Sequence, residues 1–215
     1  MSACCNDSCA SPSSSPKPDG SYRLILWIAL CINLAMFFVE IAASLMSKSM
    51  SLRADALDFL GDAGNYALAL AVFGLALRWR AAAALIKGIV MGAFGLWVAA
   101  STVYYAVAAV VPQAEIMGAI GFVALGANLT VAALLYRYRQ SDSQALSVWL
   151  CTRNDVFVNL AVIAAGAAVW ASATHWPDIA VAAVIAFLGL SSATRIIRQA
   201  LGEMRSYSPA AMPAE

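Results

Sequence analysis

Apolar residues run through the chain in six long stretches, about Tyr22 to Leu45, Ala54 to Leu77, Ala82 to Val110, Glu115 to Leu135, Ala145 to Ala171 and Pro177 to Ile196, with short polar links between them. Each is roughly twenty residues or more, the length an α-helix needs to cross the hydrocarbon core of a bilayer. Backbone N–H and C=O groups find no water in that core, so spanning segments of this kind must satisfy them internally, as helices. The pattern predicts an all-α fold, a bundle of six transmembrane helices over residues 21–197. A Cys-, Ser- and Pro-rich tail over 1–20 precedes it and a short tail over 198–215 follows, and no stretch remains for a soluble domain.

Composition agrees with the pattern. The chain is 62% hydrophobic and 12% charged, which excludes an ordinary soluble enzyme and makes the lipid bilayer the expected surrounding. A net charge of +1 offers no basic field for nucleic acid. The first twenty residues have no basic cluster followed by an apolar core and a cleavage site, so no cleaved signal peptide is expected, and they read as a disordered tail. Cys4, Cys5 and Cys9 in that tail either form a loose trap for a soft metal ion or are plain reduced thiols. Basic residues set the orientation. Lys17, Arg23, Arg78, Arg80, Lys87, Arg137, Arg139, Arg195, Arg198 and Arg205 fall on one side and only Lys48 and Arg53 on the other, which puts both termini in the cytoplasm of a multi-pass protein of the inner (plasma) membrane.

The polar exceptions carry the chemistry. Asp55, Asp58 and Asp62 head the second stretch, although one carboxylate at the centre of a membrane helix costs about 2.5 to 3.5 kcal/mol. Spacings of three and four put them on one helix face. Carboxylates one turn apart make half of a divalent-metal site. The fifth stretch offers the other half in Cys151 and Asp155, again four apart, so that Asp58, Asp62, Cys151 and Asp155 make the four ligands of a tetrahedral site. Asn159 continues the face of that pair, while Arg153 points nearly the opposite way. In the first stretch Asn33 and Glu40 share one face directed into the bundle, as packing groups or as part of a proton or ion path. Asn128 on the fourth is expected to make an interhelical hydrogen bond. Gly88 and Gly92 on the third have the small-xxx-small spacing that admits another helix, here a candidate subunit contact. His175, the single histidine, reads as an interfacial loop residue. Trp27, Trp79, Trp149 and Trp176 stand near helix ends, where aromatic belts form.

Ser51-Leu52-Arg53-Ala54-Asp55-Ala56, followed by acids at four-residue spacing and by a second such pair on the fifth of six helices, resembles the cation diffusion facilitator family. Asn33 and Glu40 resemble a recurrent pattern of that family's first helix, and Pro177-Asp178-Ile179-Ala180 resembles the start of its sixth. The resemblance implies a divalent-cation/proton antiporter, usually homodimeric, with a tetrahedral zinc-type site shared by helices two and five. Asp58 and Asp62 match the first ligand pair and Asp155 the aspartate of the second, while Cys151 stands where histidine or aspartate is usual. Family members commonly carry a cytoplasmic domain after the last helix and a histidine-rich fourth link. This sequence resembles a short form without either.

Metal binding to carboxylates and a thiol requires their deprotonation, so metal entry expels protons and proton entry expels metal. That reciprocity is what antiport needs, and export is the expected direction. Three hard oxygens with one sulfur suit zinc first, shift preference toward cadmium and lead, and disfavour manganese and magnesium, with cobalt and iron as further candidates; the alternative is that Cys151 packs only as a small hydrophobe. No resident cofactor is expected. Two other classes fit less well: an accessory or structural membrane protein whose acids pair with Arg53 or Arg153, and a membrane-embedded aspartate enzyme, for which the surrounding motifs are missing.

Overall fold

The computed structural model describes residues 20–71, 77–138 and 143–206, with the side chains of 77–78, 80, 143–148, 151 and 205–206 outside that description. Six helices follow one another: α1 (Gly20–Ser47), α2 (Met50–Ala71), α3 (Leu77–Ala108), α4 (Ala114–Tyr136), α5 (Ser143–Ser172) and α6 (Trp176–Ser206). Strands are absent among the described residues. The expected run of six is met within a few residues at most ends, and the tail cysteines Cys4, Cys5 and Cys9 lie outside the described residues. The sixth helix goes further than residue 197, because past its apolar part the chain turns amphipathic and Gln199 donates to Glu203 one turn on, at 3.0 Å.

Among the described residues, five helices are long and apolar enough to cross a membrane, and the described part of α2 is the exception. Its 22 residues extend about 33 Å, enough to span, but its polar side chains face protein rather than lipid. Every residue from Met50 to Leu57 is buried, because α2 packs against α1, α3, α5 and α6 at once. Large apolar side chains on the outer helices, Phe38, Leu96, Val107, Phe122, Trp170 and Phe187 among them, are exposed instead, as a lipid-facing surface requires.

The first, third and fifth links gather at one end. There Gln113 donates its backbone N–H to the carbonyl of Ser47 at 2.9 Å. Lys48, Ala109 and Ala173, each directly after an odd-numbered helix, take positive φ of 59°, 50° and 52°, the left-handed conformation that closes a helix C-terminus. Asp178, in the first turn of α6, reaches across to the start of α2. Its carboxylate accepts from the Met50 N–H at 2.7 Å, the Ser51 N–H at 2.9 Å, and the hydroxyls of Ser49 and Ser51 at 2.7 and 2.6 Å. Ser49 caps α2 from within its own chain segment, its hydroxyl accepting from the Leu52 N–H at 3.2 Å, and the Asp178 carboxylate of α6 satisfies the remaining orphan donors and complements the helix dipole.

Two apolar clusters bracket the polar stretch of α2. Met50, Leu52 and Ala54 join Val98, Met117 and Val162 on one side. Tyr66 and Ala69 join Tyr22, Leu26, Val131 and Leu135 on the other. Asp55, Asp58 and Asp62 lie between them along the helix. Gly88 and Gly92 do admit a close neighbour, but it is α6 of the same chain: a Cβ on Gly88 would meet Ile197 Cγ1 at 2.8 Å, and one on Gly92 would meet Ala193 Cβ at 3.8 Å. The stripe is used within the fold and needs no second subunit to explain it.

Candidate metal centre

Where α2 meets α5 the helices run antiparallel, and their polar residues pair level by level. Asp62 Oδ1 accepts from Asn65 Nδ2 at 3.4 Å and Oδ2 from the Tyr66 hydroxyl at 3.5 Å. Asp155 brings its carboxyl group within hydrogen-bonding reach of Asp62. One turn along α2, the hydroxyls of Tyr66 and Thr152 are 2.7 Å apart. In the other direction, Asn159 Nδ2 donates to Asp55 Oδ2 at 2.9 Å, while Asn159 Oδ1 accepts from Asn128 Nδ2 at 3.0 Å. Polar pairs at successive levels thus tie α2, α4 and α5 together inside the bundle.

The first helix adds a further contact. Glu40 is completely buried and faces Asp55 across the α1–α2 contact. Neither Glu40 oxygen has a hydrogen-bond partner by geometry among the described residues. Asn33 is also buried, but it donates to the Ala29 carbonyl of its own helix at 2.9 Å. The charge of Asp58, half-buried between these levels, acts on Glu40.

Of the four ligands expected from sequence, Asp62 and Asp155 come directly together. Asp58 stands one helical turn from Asp62. Cys151 lies in α5 one turn from Asp155, with its side chain outside the described residues. No group of three His, Cys, Asp or Glu side chains converges at metal-ligating range among the described residues. Asp55, Glu40 and Asn159 form a separate polar set beside the Asp62–Asp155 contact, and Asn128 makes the interhelical bond expected of it.

Several outlying residues are settled by packing. Arg153 is exposed, with its guanidinium 5.3 Å from the Trp149 ring centroid. Arg53, counted above as a loop cation, is buried with its guanidinium 4.8 Å from the Trp97 centroid and 5.6 Å from that of Tyr105. His175 is buried against Trp176, ring centroids 4.9 Å apart, and its carbonyl accepts from the Ile179 N–H in the first turn of α6. Lys87 is no link residue either. It lies inside α3, half-buried, and donates from Nζ to Asn65 Oδ1. Sequence reasoning missed Asn65, Tyr66 and Thr152, although Tyr66 follows Asp62 at the same four-residue spacing that marked the acids.

A cavity of about 270 Å³ opens sideways among α1, α2 and α3, lined by Leu30, Leu34, Leu60, Gly64, Lys87 and Met91 among others. It is apolar and contains none of the candidate ligands.

Residues 26–204 match the family model of the cation efflux transmembrane domain. The chain belongs to the cation diffusion facilitator family. It is a multi-pass membrane transporter of metal cations, and the family acts by transport rather than catalysis. No individually curated protein matches it at a significant level.

Proposed function

We propose that this cation diffusion facilitator exports zinc-type divalent cations from the cytoplasm in exchange for protons, binding them between α2 and α5 with Asp58, Asp62, Cys151 and Asp155. The observation that carries the reading is the meeting of Asp62 and Asp155 from two different helices inside the bundle. Two carboxylates at that range cannot both stand as bare anions in a low-dielectric interior. A proton shared between them or a cation bound by both must compensate the charge. Occupancy by one excludes the other, which is the coupling of an antiporter.

Asp58 and Cys151 lie one turn from Asp62 and Asp155 on opposite sides of that pair, so a slide of α5 along α2 by about one turn, roughly 5 Å, completes four ligands around an ion by setting Asp155 level with Asp58 and Cys151 level with Asp62. Alternating exposure follows if the apolar clusters on either side of the acids open in turn. A thiolate among three carboxylates favours zinc and raises the relative affinity for cadmium and lead. The protein acts as a homodimer in the plasma membrane, with both termini in the cytoplasm.

Cation uptake into everted vesicles or proteoliposomes under an imposed pH gradient tests this, with zinc, cadmium, lead, cobalt and iron compared. Asp62→Ala and Asp155→Ala are expected to reduce gradient-driven uptake to background while the protein still inserts. Cys151→His is expected to keep zinc transport and to lower cadmium and lead transport. Unchanged uptake in Asp155→Ala would sink the site, and no uptake of any cation by folded wild-type protein would leave an accessory role.

A further inference from the structure

Inside α3, Lys87 turns away from lipid and lays its stem across α2 at Gly64. A Cβ at Gly64 would meet the Lys87 Cδ at 2.9 Å and Cε at 3.0 Å, so only the missing side chain lets the lysine lie there. The ammonium reaches Asn65 Oδ1, and the same amide donates through Nδ2 to Asp62 Oδ1 at 3.4 Å. The positive charge is thereby held one residue removed from a proposed ligand, and it acts on the Asp62 carboxylate. A membrane-embedded lysine near a helix end would ordinarily extend to the interface; here Gly64 and Asn65 give it an inward path instead.

We infer that Lys87 is the residue that sets how tightly the centre holds its cation: through Asn65 it keeps a fixed positive charge beside Asp62, weakening dication binding and speeding release. This rests on Asp62 being a ligand. A cluster of three carboxylates and a thiolate carries far more negative charge than a dication, and a transporter that never let go would be a trap. A tethered ammonium offsets part of that excess without entering the ligand shell. It repels the dication across the low-dielectric interior, where such interactions are strong. The groove beside its stem gives the side chain room to shift when the ion arrives.

The sign of the effect separates this role from a merely structural one. Losing a structural support loosens the site, whereas losing a repelling charge tightens it. The test measures equilibrium zinc binding and gradient-driven zinc uptake on the full chain, with Lys87→Met, Lys87→Arg, Gly64→Ala and Asp62→Asn compared with wild type. Lys87→Met is expected to lower the zinc Kd about ten-fold and to lower the maximal uptake rate. Lys87→Arg keeps the charge and should stay near wild type in both. Gly64→Ala lifts the stem off α2 and should shift Kd in the same direction by less, a second reading should Lys87→Met fail to fold. Weaker or unchanged zinc binding in Lys87→Met, or in Gly64→Ala where only that variant folds, overturns the inference with the ligand site intact. Unchanged zinc binding in Asp62→Asn removes the ligand reading itself, and this inference with it.

Discussion

Asn159 shows how one side chain joins three helices. Its amide donates to Asp55 and accepts from Asn128, so α2, α4 and α5 share a single connecting group. Interhelical hydrogen bonds in membranes average only about 0.6 kcal/mol each, which alone would make the residue dispensable. Its removal, however, strands a buried carboxylate and a buried amide together, and orphaned groups cost about 1–3 kcal/mol. Asn159→Ala is therefore expected to destabilise the protein by about 1–3 kcal/mol, read by unfolding in detergent. A loss within a few tenths of a kcal/mol would mean that water or a rotated Asn128 takes its place. Asn159, Asp55 and Asn128 could each be picked out in the sequence, but not that they pair with one another, since they sit on three different helices.

At the scale of the helix, α2 is the element that the others serve. It is too polar to count as an ordinary membrane span, and it survives because four helices surround it. Its first turn is capped from outside by Asp178, through two backbone and two hydroxyl donors. Asp178→Ala would leave those donors buried and unpaired, at an expected loss of about 3 kcal/mol with faster hydrogen exchange at Met50 and Ser51. Asp178→Asn retains an acceptor and should lose less. If exchange at the start of α2 stayed unchanged in Asp178→Ala, the cap would not be holding the helix. The sequence placed Asp178 at the start of α6 but gave no hint of its task, because capping partners more than a hundred residues apart share no local pattern.

For the molecule as a whole, the close approach of α3 and α6 decides how the outer helices shut around α2. Gly88 is the point of least clearance: a larger side chain would strike Ile197 Cγ1 and come within 3.3 Å of the Ile197 backbone nitrogen. Backbone cannot step aside as a flexible side chain can. Gly88→Leu is expected to cost about 1–3 kcal/mol in stability and to leave the oligomeric state unchanged by light scattering. Dissociation of subunits at unaltered stability would return this stripe to the dimer contact that its spacing first suggested.

The sequence by itself determined that there are six helices, that they belong in a bilayer, and that the acids of the second and the Asp155 face of the fifth turn inward. Each of these follows from one-dimensional regularities: run length set by bilayer thickness, and spacing of three or four set by the helix repeat. Tertiary structure decided the rest. It brought Asp62 against Asp155, set Glu40 beside Asp55, turned Lys87 from a link charge into a partner of Asn65 beside Asp62, and assigned the glycine stripe to α6. Those outcomes depend on which helix faces which, at what height and in what rotation. Such quantities come from packing summed over the whole bundle, and no spacing within a single helix encodes them.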